Sequence, residues 1–297
     1  MNTRTAIITG ATSGLGLECA RALLRSDPSW HLVLPARDVG RGAAAVEELG
    51  AARRCTVLPM DLASLASVRA FTEEFRAAGL PPLHALVCNA GVQVVSGTER
   101  TRDGIEMTFG VNHLGHFALV QGLLDALAPP ARIVVVSSGT HDPSKRTGMP
   151  DPHYSSASEL AHAQSSEENG RRRYTTSKLC NVLFTYELDR RLDDGVTVNA
   201  FDPGLMPGTG LARDYSTLGR LAWRYLFPAL RVLPGVRSTR ASGRSLAALV
   251  HDTRFDGVSG QYFEGPRPIK SSAESYDSEK ARDLWETSEA LLTNAYK

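Results

Sequence analysis

The stretch IITGATSGLG, residues 7–16, runs from a β-branched segment through a glycine-spaced turn into the start of an apolar helical pattern. Gly10, Gly14 and Gly16 stand in the spacing T-G-x-x-x-G-x-G. Glycine lets the main chain turn sharply and approach a ligand closely, because no Cβ intervenes. A helix that starts at such a turn offers unpaired N–H groups and its positive dipole end to a pyrophosphate. A glycine turn by itself can be purely steric. Its place between a buried strand and a helix, at the head of an alternating chain, makes it a nucleotide-binding turn. Gly10, Thr12, Ser13, Gly14, Leu15 and Gly16 are the expected contacts.

Outward from that turn, short apolar runs alternate with helical patterns over about the first 200 residues. The expected strands are 4–9, 31–36, 54–59, 84–88, 131–137 and 195–201, and the expected helices are 14–26, 40–49, 64–78, 102–128 and 174–192. The strands are apolar throughout rather than alternating, as parallel strands covered on both faces are. Pro35 removes a ladder donor and marks a strand end. The expected fold class is α/β, a doubly wound parallel sheet flanked by helices. Neither a repeat nor a linker is visible, so residues 1–297 read as one domain.

Two segments break the rhythm. Residues 139–173 are polar and rich in Pro, Ser and Gly, and a long excursion of this kind is usually functional or disordered. Residues 205–240 are apolar but studded with arginines, with Leu218, Leu221, Ala222, Tyr225 and Leu226 on one helical face.

Composition narrows the function. With 42% hydrophobic and 22% charged residues the chain can bury a sizeable core, and a net charge of +1 gives no field for nucleic acid. Cys19, Cys55, Cys88 and Cys180 are far apart, which argues against a disulfide framework or a metal site. The chain enters TAIITG without a basic and apolar leader, and no apolar run has membrane length. A cytoplasmic location is expected. After the second strand comes LPARD, where a carboxylate would bind the ribose hydroxyl of NAD and an arginine would accommodate the phosphate of NADP. Arg37 comes first and Asp38 second, so the expected cofactor is NADP(H).

Further motifs follow in order: DLAS (61–64), CNAG (88–91), VNHLGHF (111–117), VVVSSG (134–139), YTTSK (174–178) and DPGLMPGT (202–209). With these the chain resembles the short-chain dehydrogenase/reductase family over nearly its full length, which implies a Rossmann fold. Within it, WHLVLPARD, DLASLASVRAF, YTTSKLCN and SEKARDLWETSEAL are similar to protochlorophyllide reductases and their retinol-dehydrogenase-like relatives. Leu205 stands where those photoenzymes carry a cysteine, and Gly91 where they carry an alanine. Both departures point to a dark enzyme.

The resemblance implies a catalytic tetrad of Asn112, Ser138, Tyr174 and Lys178. An ordinary tyrosine, with a pKa of about 10, needs roughly 4 kcal/mol of differential phenolate stabilisation to work near neutrality. A neighbouring ammonium, Lys178, and an oxidised nicotinamide can supply it. By the resemblance Tyr174 protonates the substrate oxygen, Ser138 hydrogen-bonds the same oxygen, Lys178 also holds the nicotinamide ribose, and Asn112 positions a water. Asp61 and Leu62 would meet the adenine. Asn89, Ala90 and Gly91 would pass under its ribose, and Thr209 would hold the carboxamide after the Pro203–Gly204 turn. The plain alternatives are a backbone bridge at a helix kink for Asn112, a strand end for Ser138 and a helix cap for Asp61.

His113 and His116 lack a third ligand and read as packed or surface residues. Cys88 and Cys180 read as core, and Arg171–Arg173 as a solvated face, an anionic substrate tail being the alternative. By position, 205–240 is a helical lid over an apolar small substrate. The competing readings of it are core packing, a homo-oligomer interface or a shallow peripheral membrane contact. For function the leading reading is hydride transfer at a carbonyl or alcohol. A protochlorophyllide-type C=C reductase and a non-catalytic NADP(H) sensor are the alternatives.

Overall fold

The computed structural model describes residues 3–163, 170–206 and 237–296. β1 (Arg4–Ile8) leads to α1 (Gly14–Ser26), β2 (Trp30–Ala36) to α2 (Val39–Leu49), and β3 (Cys55–Pro59) to α3 (Leu65–Ala77). β4 (Leu83–Cys88) is followed by a helix in three parts: α4 (Met107–Phe109), a π-helical stretch Gly110–Leu114, and α5 (Gly115–Leu123). Then come β5 (Leu127–Val136), α6 (Ala157–His162), α7 (Gly170–Asp189) and β6 (Val196–Asp202). The described chain closes with α8 (Thr239–His251), β7 (Gln261–Glu264), β8 (Arg267–Ile269) and α9 (Ser278–Ala295).

The eight strands form one sheet in the order β3-β2-β1-β4-β5-β6-β7-β8. All neighbours are parallel except β8, which runs antiparallel to β7. This is the doubly wound sheet expected from the sequence. The apolar strands are explained by burial on both faces. Ile7, Val33, Leu86, Ile133 and Val198 face a core shared with α3, α5, α7 and α9. Ala6, Ile8, Leu32, Leu34, Val87 and Val134 face a second core under α1 and α8. The strand order reverses between β1 and β4, and ligands of open α/β sheets bind outside the strand ends at such a crevice.

Three expectations shift. Pro35 sits inside β2 rather than ending it; it pairs with Leu58 of β3 but lies beyond Val33, the last β2 partner of β1. The helix expected over 102–128 is shorter at both ends. Thr101 Oγ1 accepts from Asp103 N and Ile105 N in a turn, and Glu106 Oε2 caps the helix by accepting from Phe109 N at 2.7 Å. At the other end β5 has begun by Leu127, and Pro129 and Pro130 could not continue a helix. The excursion 139–173 is not structureless where described: it holds two 3-10 turns, Gly139–His141 and Pro143–Lys145, then α6, and α7 starts at Gly170. Of the lid expected over 205–240, residues 207–236 lie outside the described residues, and residues 239–240 open α8.

Candidate active site

The glycine turn has the geometry its sequence requires. Gly10 and Gly14 have φ of +67° and +59°, a region that side chains with a Cβ rarely adopt. At Gly16 a Cβ would lie 2.6 Å from both Asn89 Nδ2 and the Gly10 carbonyl, so α1 can start this close to β4 only with glycine there. Ser13 is the N-cap of α1, yet its side chain makes no capping bond, and Ser13 and Gly14 are exposed. The first turn of α1 thus has no side-chain cap from Ser13 and opens next to the half-buried Thr12 and the buried Leu15.

β1 and β4 are joined at this end by Thr9. Its hydroxyl oxygen accepts from Asn89 N (2.8 Å) and Ala90 N (2.9 Å), while Asn89 Nδ2 donates to the Thr9 carbonyl (2.7 Å). β2 ends at Ala36, so Arg37 is the first residue beyond it and is exposed. Asp38 is committed elsewhere: it caps α2, its carboxylate accepting from Arg41 N at 3.1 Å. After β3, Asp61 Oδ1 accepts from Ala63 N (3.0 Å) and Ser64, not Asp61, caps α3. Leu62 is buried against Gly115 of α5, where a Cβ would lie 2.6 Å from the Leu62 carbonyl. An uncapped helix start, a glycine-lined strand end and an exposed arginine past β2 together fit a dinucleotide carrying an extra phosphate.

The four tetrad candidates come from three elements. Tyr174 and Lys178 lie one turn apart on α7, both buried, with Lys178 Nζ 5.5 Å from the centre of the Tyr174 ring. α7 is bound to the end of β5 by three bonds. Ser137 Oγ donates to the Lys178 carbonyl (2.7 Å), and Lys178 Nζ (3.2 Å) and Asn181 Nδ2 (2.9 Å) both donate to the Val136 carbonyl. Ser138, two residues past Val136, is half-buried, and its Oγ accepts from Thr140 N at 3.3 Å. Asn112 is fully buried in the π-helical stretch. Its Oδ1 accepts from Val92 N (2.7 Å), and its Nδ2 donates to the Val92 carbonyl (2.9 Å) and to Ser177 Oγ (2.9 Å).

The Asn112 side chain is therefore a backbone bridge at an irregular helix. It brings Gly91 to the lysine: a Cβ on Gly91 would stand 3.3 Å from Asn112 Oδ1 and 3.6 Å from Lys178 Nζ. Burial pushes the Lys178 ammonium down to about 8, and the carboxylate of Asp202 partly offsets this. It stays mostly charged at neutral pH. Pro203 and Gly204 (φ +76°) turn the chain after β6, with Gly204 N donating to Asp202 Oδ1 at 2.9 Å. Thr209 lies outside the described residues.

The sequence reading gave Asp202 no role, although DPG was among its motifs. Asp202 is buried at the end of β6, and its Oδ2 lies 3.5 Å from Lys145 Nζ, which also donates to Glu264 Oε2 at 2.6 Å. No local pattern announces this, because the lysine and the two carboxylates meet only through the sheet order. His116 is packed as expected but also bridges Thr9 Oγ1 (2.9 Å) and the Asn112 carbonyl (3.2 Å). His113 packs among Phe109, Phe117 and Phe184 and bonds Ser288 Oγ. Cys19, Cys88 and Cys180 are buried, which pushes their thiols well above the ordinary range; half-buried Cys55 is pushed up to about 11. Among the described residues no group of three or more His, Cys, Asp or Glu is placed to hold a metal ion. No described helix is long and apolar enough to cross a membrane.

The three arginines before Tyr174 are not one solvated face. Arg173 is buried 3.2 Å from the Glu106 carboxylate, and Arg171 donates to the Gly148 carbonyl at 3.0 Å, while Arg172 is exposed. Two of the three hold the insertion and the loop near Gly97 against the start of α7.

The short chain dehydrogenase family model matches residues 4–158. Protochlorophyllide reductase A, chloroplastic, of Oryza sativa subsp. japonica is 37% identical over 96% of this chain and 80% of its own. The WW domain-containing oxidoreductase of Gallus gallus is also 37% identical, over 96% of this chain and 67% of its own. Among solved structures, a blue fluorescent protein from a metagenomic library in complex with NADPH matches with a TM-score of 0.65 and 25% identity, covering 89% of this chain and 96% of that one.

Proposed function

Because this chain belongs to the short-chain dehydrogenase family, we propose that it is an NADPH-dependent oxidoreductase acting on a carbonyl or alcohol of an apolar small molecule. The observation that carries this reading is the buried Tyr174–Lys178 pair, tied by Val136 to the strand that delivers Ser138. The NADPH complex of the metagenomic relative supports the choice of cofactor, together with exposed Arg37 and the engagement of Asp38 as a helix cap. Bound there, the nicotinamide supplies or accepts the hydride.

Gly10, Thr12, Ser13, Gly14, Leu15 and Gly16 hold the pyrophosphate end. Arg37 meets the extra phosphate, Asp61 and Leu62 the adenine, and Asn89, Ala90 and Gly91 the ribose; Pro203, Gly204 and Thr209 belong to the nicotinamide end. In reduction Tyr174 gives the phenolic proton to the substrate oxygen, and Ser138 Oγ donates a hydrogen bond to that oxygen. Lys178 keeps its charge beside the Tyr174 ring and stabilises the phenolate left behind. Asn112 sets Gly91 against that ammonium through its bonds to Val92. The four free cysteines suit a reducing, cytoplasmic setting.

The likeness to the rice reductase favours a second reading, reduction of a C=C bond of a porphyrin-type pigment. Leu205 weighs against it: this residue has no exchangeable side-chain proton, and it is 45% exposed just past the Pro203–Gly204 turn. The sensor reading is disfavoured because a binding protein has no need of Tyr174 and Lys178 together.

The test is NADPH consumption in the dark over a panel of apolar aldehydes, ketones and quinones. Tyr174→Phe should bind NADPH as the parent does and lose about 10²–10⁴-fold in turnover. Normal turnover by that variant would sink the acid role, and turnover of a porphyrin-type substrate that requires light would establish the second reading.

A further inference from the structure

His141 is fully buried three residues past Ser138 and takes no part in the chemistry proposed above. Its Nδ1 is 2.7 Å from the Ser138 carbonyl, and its Nε2 receives the amide N–H of Ser272 at 3.1 Å. An amide nitrogen can only donate, so Nε2 bears the lone pair and Nδ1 the proton. The Nδ1–H is therefore the donor to Ser138. The ring also packs on Tyr262 of β7, with centroids 4.8 Å apart.

The bonds behind Ser272 have a direction as well. Ser275 Oγ donates to the Ser272 carbonyl (2.7 Å), so the Ser271 hydroxyl must donate to Ser275 Oγ (2.6 Å). Tyr186 OH on α7 then donates to Ser271 Oγ (2.7 Å). The sequence of bonds thus runs from the helix that carries Tyr174 and Lys178, through the loop after β8, to the carbonyl of Ser138.

We propose that His141 is a positioning residue: as a neutral Nδ1–H imidazole it fixes the Ser138 main chain and, through Ser272, Ser275, Ser271 and Tyr186, sets that serine relative to the tyrosine helix. The proposal rests on the oxidoreductase reading, since it matters only if Ser138 and Tyr174 must reach one substrate oxygen. A second proton on the ring would point Nε2–H at Ser272 N–H and break the relay. Burial is the main influence opposing that proton, helped by the Lys145 ammonium; the Ser138 carbonyl, Asp142 on the same turn and Asp202 on β6 favour it. Tyr262 and Glu264 complete the polar surroundings from β7, Glu264 through its bond to Lys145.

The experiment has two arms. In the first, His141→Phe keeps a ring against Tyr262 and removes both bonds, while His141→Asn restores a donor toward the Ser138 carbonyl. The phenylalanine variant should lose about tenfold to a hundredfold in kcat with NADPH affinity within about twofold of the parent. The asparagine variant should recover most of that loss. Parental kcat in His141→Phe, or equal losses in both variants accompanied by lost NADPH affinity, would overturn the proposal.

In the second arm, nitrogen NMR of the parent protein labelled at histidine reads the ring directly and does not depend on any variant folding. A neutral Nδ1–H form persisting down to about pH 6 supports the proposal, against an ordinary histidine pKa of about 6.5, and an Nε2–H form or ordinary titration overturns it. Failure of the oxidoreductase reading would show differently, as NADPH binding with no turnover by the parent across the substrate panel, the His141 tautomer being unchanged.

Discussion

Lys178 Nζ donates to the carbonyl of Val136 at 3.2 Å, so the ammonium on α7 is held by the strand that ends two residues before Ser138. Asn181 Nδ2 shares that same carbonyl at 2.9 Å. Tyr174 and Lys178 are thereby joined to the strand that leads to Ser138, and on the proposed reading the charge of Lys178 is the titrating property of the site.

With burial holding that ammonium down to about 8, it loses its proton as pH rises through this value. The phenolate of Tyr174 then loses its electrostatic support, so kcat/KM for reduction should fall above about pH 8. Asp202→Asn removes the carboxylate that favours the charged lysine and should move that fall to lower pH. A profile flat to about pH 10 in the parent would contradict the assignment.

Gly16→Ala places a methyl group 2.6 Å from the Gly10 carbonyl and from Asn89 Nδ2. Either the turn or the end of β4 must shift. NADPH affinity should drop by at least about tenfold, with roughly 1–3 kcal/mol lost from thermal or denaturant stability. Titration of cofactor fluorescence and an unfolding curve measure the two separately.

Arg37→Ala removes the exposed cation that directly follows β2 while leaving Asp38 on its cap. A charge-assisted bond of about 1.5–3 kcal/mol predicts a loss of roughly tenfold to a hundredfold in NADPH affinity. Affinity for NADH should change little, because the lost contact is to the phosphate that NADH lacks. Equal losses for both cofactors would move the phosphate site elsewhere.

His113 and His116 are buried neutral, with burial pushing them down to about 3 and about 4. Below about pH 6.5 the unfolded chain takes up protons at these histidines and the folded chain does not, so stability falls as pH falls from there toward 4. Denaturant midpoints at successive pH values should decline across this window. His113→Phe should flatten the decline, given the aromatic neighbours Phe109, Phe117 and Phe184.

The parts of this fold that were legible in the sequence are those with a short-range cause. Strands buried on both faces read as apolar runs, and the turn at Gly10–Gly16 reads as glycine spacing. The C-terminal third was harder. β7 and β8 are short, and the arginine-rich segment before α8, expected from its position to be a lid, lies mostly outside the described residues. The packing of α8 against α1 depends on Gly243, where a Cβ would lie 2.5 Å from Glu18 Cβ. Tyr174 and Lys178 were legible as a pair one turn apart. Asp202 and His141 were not, because Lys145 and Ser272, the partners that give them meaning, stand 57 and 131 positions away in the chain.

The π-helical stretch Gly110–Leu114 has a consequence for how this chain tolerates changes of length. Gly115 N reaches back five residues to the Gly110 carbonyl, so the helix contains one residue more than a regular turn would take. Deleting a single residue there would close the ladder into ordinary α-helix. It would also swing one side of the break by about 100° relative to the other. Asn112 would then leave Val92, or His116 would leave Thr9, and no side-chain substitution could restore both. The surplus residue is a spacer: it lets one helix aim two side chains at the loop after β4 and the end of β1, which do not lie a whole number of helical turns apart.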